Sequence, residues 1–340
     1  MPLLMMLFKT VDGLDDIACK ETSEKLHVKH LVSSPYGHPG WISCQIEENM
    51  LGKVRTLRSI VEAQIVVHNE KYGEAFSIDT FADKAIEAIS PYMHDARRIS
   101  VSAYSIRGMP SQRQIQGTFS KRIVQKLGAE CNLRNYDIAL KISLLKRNAL
   151  ASIDLEMQPG NIPKIETHPT PLLPPIAYAM IRLTSPRNSK RLVDPMCGCG
   201  TIPLMAALEW TNLQVTGSDV SKDYVDCAVR NAQKLGVRDR VKFMTNDVAH
   251  LQDVAPSADV IAVNPPYGIA IGATDDVNKL YEQLFERASR ILSAGGRIAI
   301  ITPYPRIVEK LASKWMLEVK SIWNIHEGEL QRTIHVIQKP

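Results

Sequence analysis

The chain has 340 residues, 45% of them hydrophobic and 23% charged, with a formal net charge of +5. This composition predicts a folded protein of roughly two or three domains and excludes wholesale disorder and fibrous structure. No run of about 18 apolar residues is present, which argues against a helix that spans a membrane. The six cysteines form no CxxC pair, so we expect neither a disulfide scaffold nor a zinc site, and we expect a reducing, cytoplasmic compartment.

The N-terminal part of the chain predicts a small α+β unit. Its apolar run over 2–8 is short, has no basic residue before it and has no small-residue cleavage site after it, so we predict a buried strand over 3–9 rather than a signal peptide. A turn at 12–16 leads into a helix that ends near Leu26 and has acidic residues at its positive end. Alternating apolar and polar residues predict strands over 41–46 and 59–68.

A second α+β pattern follows, and its helices alternate with half-buried strands. We predict helices over 80–89 and 118–127 and strands over 99–104, 136–142 and 149–154. Gly128 fits the C-terminal stop of the second helix.

Basic charge is concentrated in this second part. Residues 93–150 carry eleven basic and three acidic side chains, whereas the rest of the chain has a small acidic excess. Such a segment indicates a polyanionic partner, although a solvated basic face without a partner remains the alternative. The candidate RNA-binding residues are Arg97, Arg98, Arg107, Arg113, Lys121, Arg122, Lys126, Lys146 and Arg147.

A proline-rich stretch over 159–175 forms a stiff connector, and after it the pattern becomes a regular strand–helix alternation. This alternation predicts a doubly wound α/β sheet of parallel strands. The predicted strands cover 191–194, 214–219, 241–244, 259–263 and 296–301, the helices 201–210, 221–235 and 276–292, and two antiparallel edge strands 321–325 and 332–337.

Polar or small residues follow the first three of these strands. The first ends at Asp194 and runs through a glycine-containing loop to Thr201. In open α/β sheets ligands bind outside the carboxyl ends of the strands, and Gly198 and Gly200 let the backbone approach a ligand closely. A dinucleotide fingerprint fails because Pro203 stands at its last glycine position. A tight turn without a ligand is the alternative.

The second strand ends at Asp219 and the third at Asn246-Asp247. A carboxylate after the second strand can bind both hydroxyls of a ribose, and the Asn-Asp pair can bind an adenine amine. Each signal is weak alone, because Asp often ends a strand and Asn-Asp is a common turn pair.

The fourth strand ends in Asn264-Pro265-Pro266-Tyr267, the most specific pattern in the chain. Two prolines fix the backbone and leave its carbonyls without local donors. The Asn264 and Pro265 oxygens can accept both protons of an exocyclic amine, and the Tyr267 ring offers a face on which a base can stack. A rigid turn that merely closes the strand is the alternative.

The four strand ends together resemble the class I S-adenosylmethionine-dependent methyltransferases, and Asn-Pro-Pro-Tyr resembles their branch that methylates amino groups. The resemblance implies a Rossmann-like, seven-stranded, mostly parallel sheet and S-adenosylmethionine as cofactor, with no metal. The residues it implies for the cofactor are Asp194, Cys197, Gly198, Gly200, Thr201, Asp219, Asp247 and Val248, and those for catalysis are Asn264, Pro265, Pro266 and Tyr267.

The N-terminal half sharpens the resemblance to THUMP-containing guanine-N2 methyltransferases, including the enzymes that act at tRNA position 6. Its features are Thr80-Phe81-Ala82, Arg107 and the helix at 120–123. The expected domains are a ferredoxin-like unit (1–65), a THUMP RNA-binding domain (66–157), a linker (158–175) and the methyltransferase domain (176–340).

The resemblance implies methyl transfer to the N2 amine of a guanosine in tRNA. This sequence departs from the family's pattern at Ala270, where the family commonly has an arginine. The open alternatives are a guanosine at tRNA position 10 or in 23S rRNA, an adenine amine, and, from another class, a non-catalytic RNA-binding protein with a degenerate methyltransferase domain.

Overall fold

The computed structural model describes residues 2–71, 76–93, 96–106, 109–145, 147–163, 165–167, 171–186, 191–267, 274–328 and 330–340. The chain divides into two units. The first comprises Met1–Thr10 and Asp15–Asn161, and the second comprises Val11–Leu14 and Ile162–Pro340.

The first unit is an eight-stranded sheet with its helices packed on one face. Its strands are β1 (Leu3–Thr10), β2 (Lys29–Ser33), β3 (Trp41–Glu47), β4 (Ile60–Lys71), β5 (Arg98–Ser105), β6 (Glu130–Cys131), β7 (Ile138–Leu144) and β8 (Asn148–Asp154), in the order β2-β3-β1-β4-β8-β7-β5-β6. Its helices are α1 (Asp15–Leu26), α2 (Leu51–Val54), α3 (Ile78–Ile89) and α4 (Gln112–Leu127). The short strand β2 was not expected from the sequence.

Alternation along β1 shows how the sequence builds this core. Met6 and Phe8 point into the main cluster with Phe81 of α3 and Phe119 of α4, whose ring centroids are 6.1 Å apart. Leu7 belongs to a smaller cluster on the opposite face, as the period of two in a strand requires. Helix packing therefore covers one face of the sheet.

Helix α4 begins earlier than the predicted residue 118. Ser111 and Gln114 form a reciprocal capping box, in which each side chain binds the other's backbone N–H. This cap stabilises a start at Gln112 although the first turn has little apolar character. The predicted stop is confirmed, since Gly128 has a φ of 62° and donates its N–H to the Val124 carbonyl.

The domain boundary expected at residues 65–66 falls inside β4. This strand pairs with β1 on one side and with β8 on the other. One continuous sheet therefore runs through the ferredoxin-like and THUMP ranges, because a single long strand contributes to both.

The second unit is a seven-stranded sheet with helices around it. Its strands are β9 (Arg191–Asp194), β10 (Gln214–Asp219), β11 (Val241–Thr245), β12 (Ala258–Val263), β13 (Leu292–Thr302), β14 (Glu318–Glu327) and β15 (Leu330–Gln338). Its helices are α5 (Pro174–Leu183), α6 (Thr201–Glu209), α7 (Lys222–Lys234), α8 (Leu251–Val254), α9 (Thr274–Ile291) and α10 (Pro305–Lys314).

The strand order in this sheet is β11-β10-β9-β12-β13-β15-β14. The pairs from β11 to β13 are parallel, whereas β15 is antiparallel to both of its neighbours. The chain runs outward from β9 to β11 and then returns to β12, so the strand order reverses between β9 and β12. Ligands bind at such a switch point in doubly wound sheets.

Three helices of this unit, α5, α8 and α10, were not expected, and α5 and α10 begin with a proline. Proline suits the first helical turn because the N–H groups there have no partner inside the helix. The proline-rich stretch therefore leads directly into a helix. Among the described residues, no helix has the length and apolar character needed to cross a membrane.

Candidate functional site

A cavity of about 580 Å³ lies in the second unit, at the carboxyl ends of β9, β10, β11 and β12. Eleven of the twelve predicted cofactor and catalytic residues line it. The lining residues are Leu172, Asp194–Gly198, Thr201, Ile202, Asp219–Ser221, Tyr224, Asn246–Val248, Asn264–Tyr267 and Leu280. The parallel sheet brings them together because all four strands end at one edge.

Asp194 forms the floor of this cavity and is only 1% exposed. Its Oδ1 accepts a hydrogen bond from the Met196 N–H (3.1 Å). Burial raises the pKa of this carboxyl well above its ordinary value, the negative charge of Asp219 raises it further, and the Met196 N–H opposes the shift. No cationic side chain among the described residues pairs with Asp194, so a bound cation would be its natural partner.

Asp219 organises the loop that follows β9. Its Oδ2 accepts the Gly198 N–H (2.9 Å) and its Oδ1 accepts the Ser221 N–H (3.0 Å). Each carboxylate oxygen keeps a second lone pair for a ligand hydroxyl. The loop is thus held against the end of the neighbouring strand before any ligand binds.

Gly200 is the predicted residue that does not line the cavity. It precedes α6 with a φ of +93°, a left-handed conformation that favours glycine. A Cβ at this position would lie 3.1 Å from the Ala228 Cβ and 3.3 Å from the Phe243 ring. Gly200 therefore serves the close packing of the loop, whereas Gly198 faces the cavity.

The third strand end supplies Asp247 and Val248 to the cavity wall. The Asp247 Oδ1 accepts the Ala249 N–H (2.8 Å), which fixes the local turn. The Asn246 amide donates to the Asp247 and His250 carbonyls (2.7 and 3.1 Å), so its hydrogens are used within the loop. The Asn246 amide therefore has no donor hydrogen left for the cavity, whereas the Asp247 carboxylate keeps acceptor capacity.

Apolar side chains flank this wall. Val220 is 71% exposed directly after Asp219, and Leu172 and Leu280 also line the cavity. The cavity therefore combines a carboxylate floor with an apolar side that suits a flat ring.

The Asn264–Tyr267 segment carries an internal hydrogen bond that the sequence did not reveal. The Tyr267 hydroxyl donates to the Asn264 Oδ1, and the Tyr304 hydroxyl donates to the Tyr267 carbonyl (2.7 Å). Burial raises the pKa of Tyr267, while the nearby Arg332 opposes that shift. Two contacts thus hold the tyrosine beside the asparagine.

Arg332 of β15 is the main residue that sequence reasoning missed at this site. It is 6% exposed, its Nη1 donates to the Tyr267 hydroxyl (3.1 Å), and its guanidinium lies 6.0 Å from the centroid of that ring. It also pairs with Glu327. Because arginine can only donate, the Tyr267 oxygen accepts from Arg332 and its proton goes to Asn264. In the sequence, Arg332 is visible only as the first residue of the predicted edge strand 332–337.

The sequence analysis predicted no disulfide scaffold, and the structure contains one disulfide and four free cysteines. Cys199 in the loop after β9 and Cys227 of α7 form a disulfide, with 5.1 Å between their Cα atoms. The two residues are 28 positions apart, and only the packing of α7 against the loop brings them together. Cys19, Cys44, Cys131 and Cys197 are free, and burial raises the pKa of the Cys197 thiol well above its ordinary value.

A thiol count tests this pairing. We expect four reactive thiols in the denatured, unreduced protein and six after reduction, measured with a chromogenic disulfide reagent. The variant Cys199→Ser should show the remaining five thiols both before and after reduction. Six thiols before reduction would show that the bond is absent.

The predicted RNA-binding residues fall into those that form ion pairs with acidic side chains and those that do not. Three form ion pairs: Arg98 with Asp137 (2.9 Å), Arg122 with Asp79 and Asp83 (3.1 and 3.0 Å), and Lys126 with Asp83 and Glu87 (3.0 and 3.7 Å). Within the described part of the chain, four are exposed and have no acidic partner: Arg97, Arg113, Lys121 and Arg147. Arg107 and Lys146 lie outside the described residues, as does Ala270.

The first unit has its own cavity of about 410 Å³. Aromatic residues Tyr36, Trp41 and Tyr104 line it together with Lys141. Lys141 is paired with the carboxylates of Glu62 and Asp154 (2.8 and 2.9 Å). The cavity in the second unit, with its unpaired carboxylate floor, is therefore the candidate active site. Among the described residues no group of acidic, histidine or cysteine side chains is placed to hold a metal ion.

A protein-family model matches the C-terminal part of the chain. The model of the UPF0020 family, RMKL-like, methyltransferase domain, matches residues 164–333, which is half of the chain. This range contains the whole cavity lining. The match confirms the methyltransferase domain expected from the strand-end motifs.

A curated relative is the tRNA (guanine(6)-N2)-methyltransferase of Methanocaldococcus jannaschii. It is 26% identical over 246 residues, which cover 60% of this chain and 64% of that protein. The chain thus spans less than two thirds of that relative's length.

Two solved structures show the fold. TrmN from Thermus thermophilus has a TM-score of 0.88 and 20% identity, and the alignment covers 99% of this chain and 100% of that chain. SMU.472, solved in complex with SAH, has a TM-score of 0.81 and 19% identity, covering 100% and 99% of the two chains. They confirm the predicted α/β class I methyltransferase fold.

Proposed function

The chain belongs to the UPF0020 family of RMKL-like methyltransferase domains, and on this basis we propose that it methylates the exocyclic N2 amine of a guanosine in tRNA, at position 6 of the acceptor stem. The observation that carries the proposal is a single cavity lined by Asp194, Asp219 and Asp247 together with Asn264 and Tyr267. A relative named for this reaction aligns with 60% of the chain.

The cavity fits S-adenosylmethionine. The cofactor would place the ammonium group of its methionine moiety near Asp194, its ribose hydroxyls near Asp219, and its adenine beside Asp247 and Val248. The buried Asp194 carboxyl, which lacks a cationic partner among the described residues, is the structural reason for this fit. When bound, S-adenosylmethionine supplies an electrophilic methyl group.

Asn264 and Pro265 act on the amine that receives the methyl group. The guanine amine is a poor nucleophile because its lone pair is conjugated with the ring. The Asn264 Oδ1 has two lone pairs, so it can accept an amine proton beside the Tyr267 hydroxyl, and the Pro265 carbonyl accepts the other. These acceptors stabilise the positive charge that develops on nitrogen and hold the amine in place, an effect that can supply ~7–11 kcal/mol.

Tyr267 receives the base once it has left its helix. Extrusion of a base costs a few kcal/mol, and stacking on an aromatic ring returns ~1–3 kcal/mol of it. The Arg332 guanidinium lies over the Tyr267 ring, so the base would use the opposite face. Hydrogen bonds from Tyr304 and Arg332 hold the Tyr267 ring in a fixed orientation.

We propose that the range 66–157 is a THUMP domain that binds the tRNA. Support comes from the exposed cations of this range that have no acidic partner among the described residues, Arg97, Arg113, Lys121 and Arg147. Contacts to phosphates position an RNA without reading its sequence. The domain would therefore set which nucleotide reaches the active site.

Charge removal on α4 tests this assignment. The double variant R113Q/K121Q should weaken tRNA binding at low salt and reduce the slope of log K against log salt by ~0.7–0.9 for each phosphate that is no longer neutralised. The matched variant R122Q/K126Q removes the same charge from residues that already pair with Asp79 and Asp83, and it should have the smaller effect. Equal effects of the two variants, read by filter binding across a salt series, would contradict the assignment.

The reaction is tested directly by incubating the protein with tritiated S-adenosylmethionine and bulk tRNA or ribosomal RNA. We expect N2-methylguanosine in the digested tRNA, at position 6 when the labelled fragments are mapped. Label at position 10, in 23S rRNA or on adenine would replace the proposed substrate. Absence of label together with absence of cofactor binding in calorimetry would favour a non-catalytic RNA-binding protein.

A further inference from the structure

Asn231 of α7 is a buried polar residue, 1% exposed, that does not line the cavity. Its Oδ1 accepts the N–H of Glu166 (2.9 Å), and its Nδ2 donates to the Glu166 carbonyl (2.9 Å). The side-chain amide thus pairs with one backbone residue in both directions, as a neighbouring strand would. Glu166 belongs to the linker that precedes α5.

The same Nδ2 also donates to the Cys199 carbonyl (3.0 Å). Cys199 lies in the loop after β9, next to Gly198, whose N–H is held by the Asp219 Oδ2. One side chain therefore joins the linker to the loop that lines the cofactor cavity. An asparagine amide offers two donor hydrogens and an acceptor, and all three are used here.

Other contacts near Asn231 secure the same two segments separately. The Arg230 guanidinium pairs with the Glu166 carboxylate through two nitrogens (3.2 and 2.7 Å), in an exposed position. Cys227, one helical turn before Asn231, forms the disulfide with Cys199. The exposed Arg230 ion pair reaches only the Glu166 side chain of the linker, and the Cys227 disulfide reaches only the loop, so among these three residues Asn231 alone contacts the backbone of both segments.

The linker itself reaches the cavity a few residues later, where Leu172 lines it. Leu172 follows Glu166 by six positions and Gly198 directly precedes Cys199, so both segments that Asn231 contacts are close in sequence to residues of the cavity lining. Asn231 contacts both segments with one side chain.

We propose that Asn231 is a positioning residue that couples the linker to the cofactor loop, so that cofactor binding and linker attachment stabilise each other. The proposal rests on the proposed function only in taking a class I methyltransferase cofactor as the ligand of the cavity. Coupling between two sites is reciprocal. Cofactor binding must therefore protect the linker, and loss of the linker contact must weaken cofactor binding.

The first experiment uses the unmodified full-length protein and S-adenosylhomocysteine as an unreactive probe. Hydrogen exchange read by mass spectrometry should show slower exchange of the Glu166 amide when the probe is bound, because that amide donates to Asn231. Amides of α10, which lies away from these contacts, serve as the reference. Unchanged exchange at Glu166 in the presence of bound probe would overturn the coupling.

The second experiment compares Asn231→Ala with Arg230→Gln by calorimetry and steady-state kinetics. We expect N231A to raise the Kd of S-adenosylhomocysteine and the KM of S-adenosylmethionine about tenfold, with kcat changed less than about threefold. R230Q removes only an exposed ion pair and should leave both within about twofold. Exchange at Glu166 should be fast in N231A.

The disulfide is a parallel attachment of the loop, so the effect of N231A should grow when reductant opens it. If N231A does not fold, N231S, which keeps a single donor, replaces it and should give an intermediate rise in Kd. Normal affinity in a folded Asn231 variant would refute the positioning role. Failure of the unmodified protein to bind the probe would instead refute the proposed function.

Discussion

Replacing Asn264 by alanine is expected to lower kcat by about 10²–10³ while the affinity for S-adenosylmethionine stays within about twofold. The Asn264 oxygen is the side-chain acceptor at the end of β12 that faces the cavity. In the proposed reaction, the positive charge that develops on the amine would lose this preorganised dipole. Single-turnover methylation of tRNA and calorimetry with the cofactor measure the two quantities separately.

The matched control is Asn324→Ala, an exposed asparagine of β14 in the same unit, and it should leave both quantities unchanged. Tyr267→Phe removes the hydroxyl that donates to Asn264 but keeps the stacking face, so it should lower kcat less than N264A. Near-normal turnover of N264A would remove Asn264 from catalysis.

Replacing Asp194 by asparagine is expected to weaken S-adenosylhomocysteine binding about 10- to 100-fold and, in the same variant, to raise the unfolding midpoint of the ligand-free protein at neutral pH. The two effects have one cause. Burial disfavours the charged carboxylate in the free protein, whereas the ammonium group of the ligand needs that charge. The neutral amide of the D194N variant removes both the cost of burying the charge in the free protein and the attraction between that charge and the ligand.

The pH dependence of this effect has a definite sign. The pKa of Asp194 is raised in the folded protein above its unfolded value, so the folded state holds the proton more tightly. The stabilisation from this group is fully present below the unfolded pKa and is lost as pH rises toward the folded pKa. The gain in stability of D194N over the unmodified protein should therefore increase with pH through that window. Cofactor affinity should fall as pH drops below the folded pKa.

Thermal unfolding and calorimetry over a pH series measure these changes. Asp253→Asn on α8 is the matched control, because it removes an exposed carboxylate of the same unit, and it should change neither quantity. A D194N protein that is less stable without ligand, or that binds S-adenosylhomocysteine normally, would contradict the role of Asp194.

Much of the site could be predicted because a parallel sheet converts sequence order into spatial order. The strands β9, β10, β11 and β12 were recognisable from the regular strand–helix alternation. The residues that follow parallel strands of one sheet must lie at the same sheet edge. Eleven of twelve predicted residues consequently line one cavity. Gly200 is the one predicted residue that does not line the cavity. A glycine in a loop indicates that the backbone needs conformational freedom, but it does not show whether the glycine faces a ligand or packs against neighbouring side chains.

The basic segment shows the opposite case. Its charge could be counted from the sequence, but whether a charge is available depends on its neighbours in space. Arg122 and Lys126 of α4 meet Asp79 and Asp83 of α3, which lie outside the range in which the charge was counted. Packing of the two helices therefore lowers the free positive charge on that surface.

The sequence by itself determined the class of fold, the edge of the sheet that holds the site, and the residue types available there, because these follow from local periodicity and from short motifs. Only the tertiary structure decided that Arg332 lies against Tyr267, that Cys199 is bonded to Cys227, and that Asn231 holds the linker to the cofactor loop. Each of these interactions joins residues that are at least 28 positions apart in the chain. Their formation depends on strand register and helix packing, which no local pattern in the chain encodes.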